Sequence, residues 1–537
     1  MKPMKRRMQW WPGALYAGSV GGALGLVLLL RLNPWIEFDG RAVVIGVPIW
    51  MSWGVVMIGV PLVLLGLIAT RFVAAREERT GEMVAFFLVA AFLLGAVASW
   101  VNAEVHPEFL SETGRRQLHQ DAVTWVCGAI LTIASTVVWR RTGRNRTLAA
   151  ALIPIAGLLP VLRLLGEPSA FRLPSTVAAQ PLGETRRSML VVGVEGLDSK
   201  MILTHAAGRN HPGIDALLEE GAWGPTDPFR PLLEEAYWAT LATGTLPSRH
   251  GVMFRWGWTY PVAIEGVLRL LPWTPQGSRL FLAWDQGTKV APPPSTVPPL
   301  WQRLESSGMS TEVLEWPGEW EPAAKGREID ARIDPWGSDP SLRSSLEALL
   351  VGSFPEEAPA ILRTLRQDEA VVGEALQALD DGADNVWIVV RSLAAARRSL
   401  EPHRSGDSGR REALGLVFEL LDEQILRLRG ELSPDTVLAL VSPFGLEPPD
   451  ATERLRRLLG FGGDWRASAE RCPDGVFIVA GEGVVAGGRL PPVGLHDVVP
   501  TLCYLLELPV AQYMEGTVIL DAIDPQWLND HPLRVVE

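Results

Sequence analysis

The apolar run Met189–Val194 stops at an acid, Glu195, followed by Gly196-Leu197-Asp198. Downstream, Glu234-Glu235 lead into Ala236–Ala242, with Thr240 and Thr243 nearby and Pro247 and His250-Gly251 beyond. Carboxylates can hold divalent cations, and a hydroxyl beside such a cation becomes a nucleophile. A second apolar run, Val386–Val390, is followed by Arg391, Arg397 and Arg398. Guanidinium groups pair with carboxylates or bind anionic groups. Each of these residues also has a plainer reading. Glu195 is a residual ligand or a polar strand end. Thr240 and Thr243 are nucleophiles or hydrogen-bond within their own helix. The arginines neutralise nearby acids, bind an anion or form a solvated helix face. His250, His403 beside Glu401, and His496 before Asp497 read as structural or surface residues.

The elements that must carry these residues alternate. Strands are predicted at Met189–Val194, Ser310–Trp316, Val386–Val390, Thr436–Ser442 and Val476–Ala480, as short apolar runs between turn signals. Helices are predicted at His211–Gly221, Ala236–Ala242, Pro298–Ser307, Ala370–Leu379, Glu412–Leu432 and Leu495–Leu506. Alternation of this kind predicts a doubly wound, mostly parallel α/β sheet with ligands beyond the carboxyl ends of its strands. The Trp- and Pro-rich stretch 254–297 and the stretch 321–368 read as insertions. The first is either a cap core or a surface for lipid or a partner.

The remainder of the chain is apolar. Mean hydropathy is +0.15 over 537 residues, high for a soluble protein. Residues 1–185 have a charge balance of +6 and residues 186–537 one of −18, which separates a basic, membrane-rich half from an acidic, soluble half. The acidic half argues against a nucleic-acid partner, since phosphate binding needs clustered Lys and Arg. Apolar segments at Gly13–Leu30, Val43–Ala69, Met83–Val101, Ala122–Trp139 and Leu148–Leu165 each approach the ~20 residues that cross a bilayer. Basic clusters precede the first segment (Lys2, Lys5, Arg6, Arg7), follow the second (Arg71, Arg76, Arg79) and follow the fourth (Arg140, Arg141, Arg144, Arg146). The positive-inside rule then places the N-terminus in the cytoplasm and the soluble half outside it. A four-span arrangement would reverse the second placement. The organisation expected is a transmembrane region over 1–165, a linker over 166–188 and one large domain over 189–537. Three cysteines make no disulfide framework, and nothing in their spacing demands a Cys472–Cys503 pair.

Several motifs in order resemble the alkaline phosphatase superfamily, in its type I phosphodiesterase/nucleotide pyrophosphatase branch. They are Val192-Gly193-Val194-Glu195-Gly196-Leu197-Asp198, then Trp238–Gly244 with Pro247 and His250-Gly251, then Glu315-Trp316-Pro317-Gly318. Pro434-Asp435-Thr436 through Gly445, and Asp497–Leu502 with Glu515-Gly516, complete the series. The apolar segments predict an all-α transmembrane region of about five helices, and the resemblance implies that an α/β alkaline-phosphatase-like domain follows it. It further implies two divalent metal ions, zinc or manganese, held by Asp and His beside a Thr or Ser nucleophile.

Carried over by position, that site is altered throughout. The first ligand falls on Glu195, and the nucleophile position on Glu234. The stretch Arg391–Leu400 offers neither Asp nor His where the family places both, and the next ligand pair falls on Pro443 and Phe444. Before Pro473, where a last His belongs, stand Glu470, Arg471 and Cys472. The expectation is a domain without catalytic residues or cofactor, acting as a binding or scaffold module at the cell envelope. Arg391, Arg397 and Arg398 are its candidate anion-binding residues. The expected partners are the membrane, envelope proteins, or an anionic lipid or nucleotide. The alternative is an active phosphodiesterase or phospho-group transferase with a rebuilt metal site. The layout is similar to that of phosphoethanolamine transferases and lipoteichoic acid synthases, a likeness of architecture alone.

Overall fold

The computed structural model describes residues 11–34, 36, 40–64, 80–141, 156–164, 177–183, 185, 187–206, 211–230, 233–253, 256–259, 267–268, 270, 272, 288–289, 295–318, 340–401, 408–448 and 473–536. It divides into two compact units. One comprises Met1–Leu173 and Met253–Ala291, the other Pro174–Val252 and Pro292–Glu537.

The first unit is helical: α1 (Trp11–Leu32), α2 (Gly40–Gly54), α3 (Thr80–Val105) and α4 (Glu112–Arg141). Beyond Gly54 the second helix widens into a π-turn, Val55–Gly59, and continues to residue 64. Among the described residues four helices are long and apolar enough to cross a membrane. The fifth expected segment falls partly outside the described residues, and its part at 156–164 is helical.

In lipid, helices gain little from hiding apolar surface against one another, so close association needs small residues. Here α1 and α2 meet at glycines. A Cβ on Gly22 would lie 2.1 Å from the Trp50 carbonyl oxygen, and one on Gly54 would lie 2.2 Å from that of Gly18. Asp121 of α4 is fully buried. Arg31 of α1 pairs with it at 3.1 Å, and Arg163 at 2.7 Å. Arg163 thus serves an ion pair within the unit. Charge inside such a bundle is tolerated when paired.

The second unit is an α/β domain. Its main strands are β1 (Met189–Val194), β2 (Ala222–Asp227), β3 (Thr311–Leu314), β4 (Asn385–Val390), β5 (Val437–Ser442), β6 (Val476–Ala480) and β7 (Gly488–Arg489). The sheet order is β7-β2-β6-β5-β1-β4-β3. β3, β4, β1 and β5 are mutually parallel, while β6 runs antiparallel to both β5 and β2. β1, β4, β5 and β6 are buried at every position, as expected for strands covered on both faces. The covering helices are α5 (Pro212–Glu220), α6 (Glu234–Thr243), α7 (Pro340–Ser353), α8 (Ala358–Asp380), α9 (Ser392–Leu400), α10 (Ser408–Gly430) and α11 (Val498–Leu505). β1 stands between β4 and β5, so the crevice at its carboxyl end is the place for a ligand. Cys503 is buried and free of disulfide. Cys472 lies outside the described residues.

Glycine contacts of this kind give a direct test. Gly22→Leu or Gly54→Val should lower the thermal midpoint of the full chain in detergent, with a loss of about 1–3 kcal/mol from overpacking. Gly25→Ala, where an added Cβ meets nothing within 4 Å, should match or exceed the parent.

Candidate functional site

β1 delivers its carboxyl end to the crevice, and the loop after it turns sharply. Gly196 adopts φ +82°, a left-handed conformation that favours glycine. Glu195, Asp198 and the Gly196 carbonyl therefore leave the strand end together. β4 delivers Arg391 alongside, and α9 follows at once. The start of α9 is capped from a neighbouring helix. Asp368 of α8 accepts the Arg391 amide at 2.9 Å and the Ser392 amide at 2.6 Å. Burial pushes the Asp368 carboxyl up to about 6, although these amides favour its ionised form.

The three arginines form one network with the acids around them. Arg398 Nη2 lies 2.7 Å from Glu195 Oε1 and 2.9 Å from Glu234 Oε1, so a single guanidinium bridges the two positions. Arg391 Nε is 3.7 Å from the other Glu195 oxygen, and Arg391 Nη1 is 2.7 Å from Glu315 at the end of β3. Glu315 itself has φ +58°, and its carbonyl accepts from Arg391 Nη2. Arg397 is buried. Its Nη1 donates to Asp198 and to the Gly196 carbonyl, each at 2.6 Å. Its Nη2 donates to Glu401 at 2.9 Å and to the Leu446 carbonyl at 2.6 Å. All four Nη–H groups of Arg397 are thereby engaged within the protein. The network sets five carboxylates (Glu195, Asp198, Glu234, Glu315 and Glu401) against three guanidiniums.

This arrangement shifts acidities. Burial, reinforced by the like charge of Glu195, raises the Glu234 carboxyl to about 7, and Arg398 only partly opposes the shift. Burial works against the charge of Arg398, but Glu195 and Glu234 outweigh it and raise its pKa.

The remaining sequence candidates serve the frame. Phe444 is fully buried, with its ring 5.8 Å from that of Tyr237. The Pro443 carbonyl accepts from Thr226 Oγ1. Thr240 donates to the Ala236 carbonyl at 2.8 Å, and Thr243 to that of Ala239 at 2.8 Å, within their own helix. His250 is fully buried. Its Nδ1 accepts the Val252 amide, which leaves Nε2–H for Thr240 Oγ1 at 3.1 Å. Burial lowers its pKa to about 3. His496 stands 3.8 Å from Asp497, whose carboxylate accepts the Thr517 amide. His403, Glu470, Arg471 and Cys472 lie outside the described residues. Sequence reasoning did not single out Asp198, Glu315, Asp368 and Glu401 as site residues. For Asp198 and Glu315 the strand-end positions were the available signal; for Asp368 there was none.

Residues 189–490 match the model of the family described as type I phosphodiesterase / nucleotide pyrophosphatase. The chain belongs to this family. No curated protein matches the sequence. Among solved structures, a 2-O GAG sulfatase is similar at 12% identity and TM-score 0.39, with 63% of this chain and 74% of that one covered. Murine ectonucleotide pyrophosphatase/phosphodiesterase 5 is similar at 12% identity and TM-score 0.34, with 60% and 95% covered. A putative sulfatase from Bacteroides thetaiotaomicron is similar at 13% identity and TM-score 0.39, with 62% and 74% covered.

The residues present do not fit the two divalent cations that the family implies. Such ions need several carboxylate or imidazole donors at about 2.0–2.2 Å. Arg398 already occupies the approach between Glu195 and Glu234, and the side chains of Pro443 and Phe444 offer no donor. Among the described residues, no group of three or more His, Cys, Asp and Glu could hold a metal ion.

Removing the bridge should expose its cost. Arg398→Ala should destabilise the protein by about 1–2 kcal/mol at pH 8, a partly exposed pair falling below the range for fully buried ones. Wild-type Glu234 has a folded pKa above its ordinary value, so its contribution is full below about 4.5 and lost as pH rises through about 7. His250 acts in the opposite sense, its contribution being lost as pH falls from 6.5 toward 3. Thermal unfolding of Glu234→Gln against wild type across pH 4.5–8 isolates the first effect: the variant should gain relative stability as pH rises.

Proposed function

We propose that this chain is a membrane-anchored, extracytoplasmic member of its family that does not turn over a phosphodiester and works as a binding or scaffold module at the cell envelope. The observation that carries the reading is the Arg398 guanidinium lodged between Glu195 and Glu234. Catalysis in such a frame needs an electrophilic cation and an activated hydroxyl at those positions. A guanidinium neutralises the carboxylates without offering an open coordination position, and Glu234 is a carboxylate where the nucleophile would stand. Thr240 and Thr243, on the helix that Glu234 begins, bond inward along that helix.

The charge balance also bears on the partner. With five carboxylates around three guanidiniums, the site has no surplus positive charge for a free phosphate group. This favours a protein partner at the envelope over an anionic lipid or nucleotide. The four long apolar helices support a membrane anchor. The placement of the domain outside the cytoplasm rests on the basic clusters together with a fifth span, whose described part, 156–164, is helical.

The deciding experiment uses the full chain in detergent, incubated with zinc and manganese, then desalted. Elemental analysis should find well under one metal per chain, and an aryl phosphodiester should be hydrolysed no faster than in buffer. Near-stoichiometric metal with turnover that Glu195→Ala abolishes would overturn the reading in favour of a rebuilt catalytic site.

A further inference from the structure

The segment 253–291 interrupts the family domain in sequence yet packs within the helical unit. Its described strands, Trp256–Thr259, Val267–Leu268 and Thr288–Lys289, pair as a small antiparallel sheet. Its hold on the helices is specific. Asn33, fully buried and one residue past the end of α1, donates through Nδ2 to the Leu270 carbonyl at 2.6 Å. Asn33 Oδ1 accepts the Leu270 amide at 2.9 Å. The side-chain amide thus pairs with the backbone of Leu270 as a neighbouring strand would. Leu268 is buried in a cluster with Leu26, Leu29, Leu30, Val47 and Trp50. Leu26 lies six residues before the end of α1, so at 1.5 Å per residue the cluster reaches roughly 9 Å inside that end.

We infer that this segment, held at Leu268 and Leu270, is seated in the membrane interface and is a second membrane anchor of the chain. The inference rests on α1 to α4 being membrane-spanning. A helix of 22 residues has the length of the hydrocarbon layer, so the residue just past its end marks the interface. Leu270, at that level, and Leu268, below it, are at lipid depth. Non-helical backbone is tolerated there only where its polar groups are paired. Asn33 supplies both partners that Leu270 needs.

Composition agrees. The segment carries Trp256, Trp258, Tyr260, Trp273 and Trp284, and aromatic rings with a polar edge concentrate at membrane interfaces. It also carries Arg255, Arg269, Arg279 and Lys289 against Glu265 and Asp285, a basic balance inside the otherwise acidic half.

The test uses the full chain carrying Cys127→Ala, Cys472→Ala and Cys503→Ala, in vesicles of equimolar phosphatidylcholine and phosphatidylglycerol. A nitroxide is attached through Trp258→Cys or Trp273→Cys, and its collisions with oxygen and with a water-soluble nickel chelate are compared. Ile130→Cys on the exposed face of α4 is the lipid reference, and Leu426→Cys on α10 the aqueous one. At 258 and 273 the oxygen-to-nickel ratio should exceed the Leu426 value severalfold, and Asn33→Ala or Asn33→Asp should lower it toward that value. Ratios at both positions equal to that of Leu426, with Ile130 still in lipid, would overturn the anchor while leaving the spanning helices intact. Ratios that Asn33→Ala and Asn33→Asp leave unchanged would overturn the role given to Asn33. An aqueous ratio at Ile130 would overturn the spanning helices and the anchor together.

Discussion

Glu195 and Glu234 are close enough to share one guanidinium nitrogen, and at that spacing two ionised carboxylates repel unless a positive charge stands between them. The arrangement of the crevice depends on how that charge is supplied. In this chain it comes from Arg398, on the helix that follows the neighbouring strand. A guanidinium is held covalently and stays charged at any physiological pH, and its donors bind oxygens in fixed directions. The carboxylates are therefore balanced without an exchangeable ion. The strand end, the start of α6 and the whole of α9 are tied to one another by the same contact.

The neighbouring arginines extend this logic. Arg397 spends its Nη donors on two carboxylates and two backbone carbonyls, holding the loop after β1 against the loop after β5. Arg391 joins the ends of β4 and β3 through Glu315. What is a ligand-binding edge in the family frame becomes a closed set of ion pairs. Burial of such pairs is weak support for stability in general, because desolvation offsets much of the attraction. Their clearer effect is to fix which loop conformations the edge can adopt, including the positive φ of Gly196 and Glu315.

The helical unit solves a different problem with different chemistry. Glycines bring α1 and α2 into backbone contact, the close approach that apolar helices need where no water drives them together. Among the described residues, buried Arg and Asp side chains are paired at Asp121, and the buried backbone of Leu270 is satisfied by a single asparagine. Each device answers the same constraint, that an unpaired polar group has no water to turn to.

By itself the sequence determined much of this. Apolar runs marked β1, β4, β5 and β6, and alternation with helices marked the α/β class, because strands buried on both faces must be continuously apolar. It also supplied an expectation of which residues stand at the family's ligand positions, since position in an ordered set of motifs is one-dimensional information. It did not reveal β2, because a Gly-Pro pair, Gly224-Pro225, interrupts any apolar alternation there. It extended β3 through Trp316, although the left-handed backbone at Glu315 ends the strand at Leu314. It read the region of α7 as insertion. Nor did it show which of the three arginines bridges Glu195 and Glu234, that Asp368 caps α9, or that 253–291 packs with the helices. Those contacts join residues far apart in the chain, and their energies depend on distance and burial in the folded state. Residue type establishes that a guanidinium can pair with a carboxylate; only the tertiary structure decides which ones meet.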